Sequence, residues 1–103
     1  MINLEPHHRE LVNKNLKEYV PEFDVFAFGS RVSGTAKPYS DLDLTIMTTS
    51  PLPLSQLARL KEAFSESDLP MKVDIVDWST LSDDFREIIK QSQEIIQKKK
   101  SND

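Results

Sequence analysis

The chain has 103 residues, a length that suits one domain with a modest core. Its 38% hydrophobic and 29% charged content, with only two glycines, lies near globular norms and excludes fibrous and low-complexity classes. A net charge of −4 excludes extended nucleic-acid binding by charge alone, and the absence of cysteine excludes disulfides, thiolate metal sites and cysteine nucleophiles, in keeping with a reducing compartment.

From about Pro6 to Tyr19, Leu11, Val12, Leu16 and Tyr19 recur at helical spacing between charged residues, which predicts an amphipathic helix ended by Pro21. The same stretch is too charged for a signal-peptide core, and no other window approaches membrane-spanning length. A cytoplasmic location without membrane association is therefore expected. His7 and His8, at the helix start, read as surface residues. Phe23 to Phe28 is a short apolar strand that stops at Gly29-Ser30, and residues 33–40 have turn composition, with room for one helical turn after Ser30.

Asp41 to Met47 alternates, with Leu42, Leu44 and Ile46 on one face and Asp41, Asp43 and Thr45 on the other, the period of a half-buried strand. Leu54, Leu57, Leu60 and Phe64 mark a second helix running to about Glu66. Met71 to Asp77 predicts a third strand in which Asp74 and Asp77 fall on opposite faces. Ser82, followed by Asp83 and Asp84, caps a third long helix whose stripe is Phe85, Ile88, Ile89, Ile95 and Ile96. That stripe reads first as core and second as an interface. Lys98 to Lys100 close the helix, and residues 98–103 read as a frayed tail.

The predicted order is α, β, β, α, β, α over a single domain, residues 1–103. The first two strands, joined without a crossover helix, should be antiparallel, and the helix between the second and third permits a parallel pair. The fold class is thus α/β (α+β), a small mixed sheet with helices packed on one face.

Gly29, Ser30, ten intervening residues and then Asp41-Leu42-Asp43 form a Gly-Ser-x10-Asp-x-Asp pattern, with Asp74 as a third carboxylate on a later strand. Aspartates at i and i+2 of a strand project to one side about 6.5–7 Å apart, close enough to converge on hard cations. An Asp-x-Asp or Gly-Ser step alone is usually a solvated face or a turn. Their combination at this spacing arises from residue frequencies in roughly one such chain in a thousand. Three crowded carboxylates call for Mg²⁺, which prefers one or two carboxylates plus phosphate oxygens, and two ions suit an in-line displacement at an α-phosphate. In that arrangement Asp41 and Asp43 hold the nucleotide's ion and Asp74 binds the ion that activates the acceptor hydroxyl. Gly29 admits the triphosphate and Ser30 offers a hydroxyl and an amide to it. Arg31 and Lys37 are candidate phosphate partners.

These residues, with the Gly-Ser-Arg-Val-Ser-Gly run, resemble the signature of the DNA polymerase beta superfamily, above all its minimal nucleotidyltransferases. The resemblance implies that the three aspartates bind Mg²⁺ and that Gly-Ser binds a nucleoside triphosphate, ATP being favoured. It also implies an antitoxin paired with a HEPN-type ribonuclease toxin, to a tyrosine of which some members transfer AMP. A domain this small leaves little room for an acceptor-binding module, so a partner protein is a natural source of the hydroxyl. Two other readings stand beside this one: nucleotide transfer to a small molecule such as an aminoglycoside, and an antitoxin that neutralises by contact alone. The sequence leaves the subunit count, homo- or hetero-oligomeric, open.

Overall fold

The computed structural model describes residues 2–100. In chain order they form α1 (Pro6–Tyr19), β1 (Val25–Phe28), α2 (Ser30–Ser33), β2 (Leu42–Ile46), α3 (Leu54–Ser65), β3 (Val73–Asp77), a 3-10 turn (Trp78–Thr80), α4 (Asp83–Gln91) and β4 (Gln93–Gln97). The sheet order is β3-β2-β1-β4. β1 runs antiparallel to both β2 and β4, and β2 runs parallel to β3 across the α3 crossover, as the connections predict. No helix among the described residues is long and apolar enough to cross a membrane.

Alternation assigns the two faces. Val25 and Ala27 of β1, Leu42, Leu44 and Ile46 of β2, and Ile75 of β3 are buried on one face, where Val12 and Leu16 of α1 and Leu60 and Phe64 of α3 join them in one core. α1 opens with Pro6 at its first turn, where the missing N–H costs nothing. The other face carries Phe26, Phe28, Asp43, Thr45, Asp74 and Val76 by register. Here α4 approaches: the Phe85 ring meets Phe28 edge-on, with centroids 6.1 Å apart. The two long helices thus share one face as expected, and the short α4 lies over the other. Ser82 caps it by accepting from the Phe85 N–H, as its sequence foretells.

The predicted third long helix is shorter than expected. It stops at Gln91, and Gln93–Gln97 form an edge strand on β1. Ile95 and Ile96, read as one helical stripe, therefore lie on opposite faces: Ile95 opposes Phe26, and Ile96, 5% exposed, enters the core. Tertiary pairing overrides the helical period because β1 would otherwise present a bare edge. Side chains complete the join, with Asn13 Nδ2 donating to Ile96 O and Gln97 Nε2 donating to Val20 O and Phe23 O. Residues 98–100, expected to fray, are also tied down. The Lys99 N–H donates to Asp24 Oδ1 at 2.7 Å and the Lys100 N–H to Pro21 O at 2.8 Å. The remainder of the expected tail, 101–103, lies outside the described residues.

Asp77 closes β3 on the core face and is buried. Its carboxylate accepts from the Thr48 hydroxyl, the Leu52 N–H, and both the N–H and hydroxyl of Ser79. It thereby fastens the β2–α3 connection to the end of β3. Burial pushes its pKa up, but the donors from Thr48, Leu52 and Ser79 favour the anion and win, leaving it below the usual carboxylate value. A carboxylate with a depressed folded pKa contributes stability that is present above its unfolded value and lost as pH falls through the folded one.

Asp77→Asn should therefore cost about 1.5–3 kcal/mol at pH 7, and wild type should lose that advantage in acid, below about pH 4. Urea melts of both proteins at neutral and acid pH read this directly. Ile96→Ala should cost about 2–4 kcal/mol and Ile95→Ala clearly less; equal losses would contradict the strand assignment.

Candidate active site

The site grows from the place where β1 ends and β2 begins. Because Leu42, Leu44 and Ile46 are fully buried, β2 cannot rotate, and Asp43 must stand on the opposite face. There it pairs in register with Phe28 on one side and Asp74 on the other. Neighbouring strands lie about 4.8 Å apart, so the Asp43 and Asp74 side chains rise from adjacent backbone positions. Asp41 is exposed, one residue outside the strand. Thr45, the next residue on this face, is wholly buried. Solvent access along this face of β2 therefore ends at Asp43.

Electrostatics tie the three aspartates together. Burial raises the Asp43 pKa first, and the negative charges of Asp74 and then Asp41 raise it further. Among the described residues, Asp74 has one cationic contact, with Lys72, whose Nζ lies 3.5 Å from Oδ1 between largely accessible side chains. The alternation of the sequence already sets Lys72 and Asp74 on one strand face, although it assigns Lys72 no role.

Gly29 supplies the second half of the site. It follows Phe28 with φ of 79°, a backbone state that L side chains rarely adopt, and a Cβ there would come 2.6 Å from Asp43 Oδ2. The glycine therefore serves the turn and also leaves space for the Asp43 carboxylate against the backbone. Ser30 is the first residue of α2, whose Val32 and Ser33 amides donate back to Gly29 O. Gly29, Ser30, Asp41, Asp43 and Asp74 thus gather at one end of the three strands.

Arg31 and Lys37 part company. Arg31 is 5% exposed, and its guanidinium donates to the carbonyls of Asn3, Pro38 and Ser40. It holds the N-terminal segment and the α2–β2 loop together, so the expected phosphate contact is replaced by a structural one: its donors are engaged inside the protein. Lys37 is exposed in that loop, where its backbone N–H donates to Ser40 Oγ and its side chain remains in solvent.

The donor set is one of hard carboxylate oxygens, and the Asp43 pKa, raised first by burial, is raised further by the charges of Asp74 and Asp41. Both fit a hard divalent cation. Among the described residues no three carboxylate or imidazole side chains already close on a single point, so such an ion would need phosphate oxygens to complete its shell.

Comparison with known proteins bears on this geometry. The family model for polymerase beta, nucleotidyltransferase, matches residues 10–102. The protein from Haemophilus influenzae named probable protein adenylyltransferase MntA is 51% identical over 98 residues, which cover 95% of this chain and 86% of that one. A solved structure described as a minimal nucleotidyltransferase is 32% identical, with a TM-score of 0.64 over 85% of this chain and 88% of that one. The complex of a tri-AMPylated Shewanella oneidensis HEPN toxin with its MNT antitoxin contains a chain with a TM-score of 0.62, at 20% identity, over 85% of this chain and 67% of that one, a likeness of fold. Agreement of sequence over nearly the whole chain, on a sheet that brings the signature residues to one end, places this protein in the polymerase beta family of nucleotidyltransferases.

Proposed function

We propose that the protein transfers AMP from ATP, with Mg²⁺, to a hydroxyl on a HEPN-type toxin and acts as the antitoxin in that hetero-oligomer. The observation that carries this reading is Asp43, set against Gly29 and made harder to ionise by burial and then by the charges of Asp74 and Asp41. The kinship with a protein adenylyltransferase and the fold shared with a HEPN-bound antitoxin support the choice of substrate.

Asp41, Asp43 and Asp74 would hold the metal. Bound there, Mg²⁺ neutralises carboxylates and phosphates together and orients the reacting groups. The chain's own residues then divide the remaining work. Gly29 gives the triphosphate close access to the backbone, and Ser30 donates its hydroxyl and first-turn amide to phosphate oxygens. Lys37 reaches the phosphates from its exposed loop. Asp74 accepts the proton of the acceptor hydroxyl while that oxygen bonds to the α-phosphorus. The α–β phosphoanhydride bond breaks and pyrophosphate departs.

With labelled ATP, Mg²⁺ and the toxin-like protein encoded beside it, wild type should label that protein. Asp41→Asn combined with Asp43→Asn should abolish labelling while leaving the circular dichroism spectrum intact; labelling that persists in the double variant rules out the site. Toxin neutralised by the unlabelling variant would favour inhibition by contact instead. Gly29→Ala should lower transfer by about a hundredfold or more, since a misplacement of about 1 Å at a reacting group has that effect. Its added methyl must displace Asp43, and the positive φ should cost about 1 kcal/mol or more in stability.

A further inference from the structure

The carboxylates stand between two dissimilar spaces. On the β1 side lie Gly29 and Ser30, the turn that suits phosphates. On the β3 side a cleft of about 920 Å³ opens from Asp43 and Asp74, and neither Gly29 nor Ser30 lines it. Its lining includes the six consecutive residues from Met71 to Val76. Side chains of a strand alternate between faces, so a space touching four strand residues in a row, Val73 to Val76, follows the strand's edge. That edge is open: β3 pairs with β2 alone among the described residues. The cleft wraps it from Phe64 on α3, past the strand, to Phe85 of α4.

Charge marks this cleft as well. Lys61 and Lys72 line it, and the only carboxylates in its lining are Asp43 and Asp74, the pair assigned to the metal. The contact of Lys72 with Asp74, at 3.5 Å between side chains 73% and 44% exposed, is loose. Lys61 is exposed on α3 and forms no ion pair among the described residues. Once cations cancel the carboxylates, two lysines remain over an open strand edge.

We infer that this cleft is the acceptor subsite, and that it takes an extended acidic peptide segment which adds to the free edge of β3 and presents its hydroxyl to Asp74. This inference rests on the transferase reading above. In-line displacement needs the attacking and leaving oxygens on opposite sides of the α-phosphorus. With pyrophosphate leaving toward Gly29 and Ser30, the attacking oxygen must come from the β3 side. A strand added to β3 satisfies the unpaired backbone groups of the edge, so main-chain hydrogen bonds give affinity independent of sequence. Acidic neighbours of the hydroxyl residue meet Lys61 and Lys72, which gives selection. The acceptor oxygen bonds to the α-phosphorus, pyrophosphate leaves, and the hydroxyl proton passes to Asp74.

The test uses fluorescein-labelled peptides with a central tyrosine or serine flanked on both sides by glutamates or by lysines, each about seven residues long to span the edge strand. Anisotropy with Mg²⁺ and a non-hydrolysable ATP analogue should show the glutamate peptides binding at least about tenfold more tightly than the lysine ones. Lys61→Glu and Lys72→Gln should each reduce that preference. In transfer assays with labelled ATP, both variants should raise the KM for the glutamate peptide and leave the KM for ATP unchanged. Equal binding of the two peptide classes, or a raised KM for ATP with an unchanged KM for peptide, would overturn the assignment, the latter because the cleft would then hold the nucleotide. Glutamate peptides that bind with the expected preference but receive no AMP from ATP would uphold the subsite and count against the transferase reading.

Discussion

Asp43 is fixed by residues that have no chemistry of their own. Leu42, Leu44 and Ile46 are wholly buried, and a one-residue slip of β2 would turn all three into solvent. Against that penalty the sheet can hold a carboxylate where burial and two like charges oppose its ionisation. The rest of the site is arranged around this constraint. Gly29 lacks a side chain where the Asp43 carboxylate lies, Asp74 arrives through the parallel pairing of β3, and Asp41 approaches from the loop. The hydrophobic effect thus sustains a local electrostatic strain that the carboxylates could not sustain alone.

β3 shows how one strand can treat two aspartates differently. Asp74 faces the cleft with a single loose lysine contact, whereas Asp77, three residues later and on the core face, accepts hydrogen bonds from Thr48, Leu52 and Ser79. Donors that converge on Asp77 favour its charge and tie down a connection. The scarcity of donors at Asp74 leaves that carboxylate accessible from the cleft. Alternation along the strand, rather than residue type, separates the structural from the chemical role.

The signature residues were legible in the sequence because they depend on local rules. A Gly-Ser step after a strand, a period of two around Asp41 and Asp43, and the same period around Asp74 and Asp77 carry over to the structure with small shifts of boundary. What escaped depends on contacts distant in the chain. Ile88, Ile89, Ile95 and Ile96 match a helical stripe, and only the unpaired side of β1 draws the last two into a strand. Neither glycine nor proline punctuates the change near Ser92. Arg31 beside Gly-Ser suggested a phosphate ligand, but the carbonyls of Asn3, Pro38 and Ser40 that occupy it converge only after folding. Lys61 gave no signal, since a lysine on an exposed helical face is ordinary.

The position of β4 also sets a sequence of events in time. Phe28, the residue before the glycine turn, pairs with Gln93, so β1 gains its outer neighbour from β4, the last in chain order among the described strands. A ribosome making this chain releases every signature residue well before the strand that flanks β1. Pairings between distant segments form late, and until they form an exposed strand edge can recruit the wrong neighbour. The nascent protein therefore carries its clustered carboxylates through a period in which their supporting sheet is incomplete, until β4 has emerged and paired.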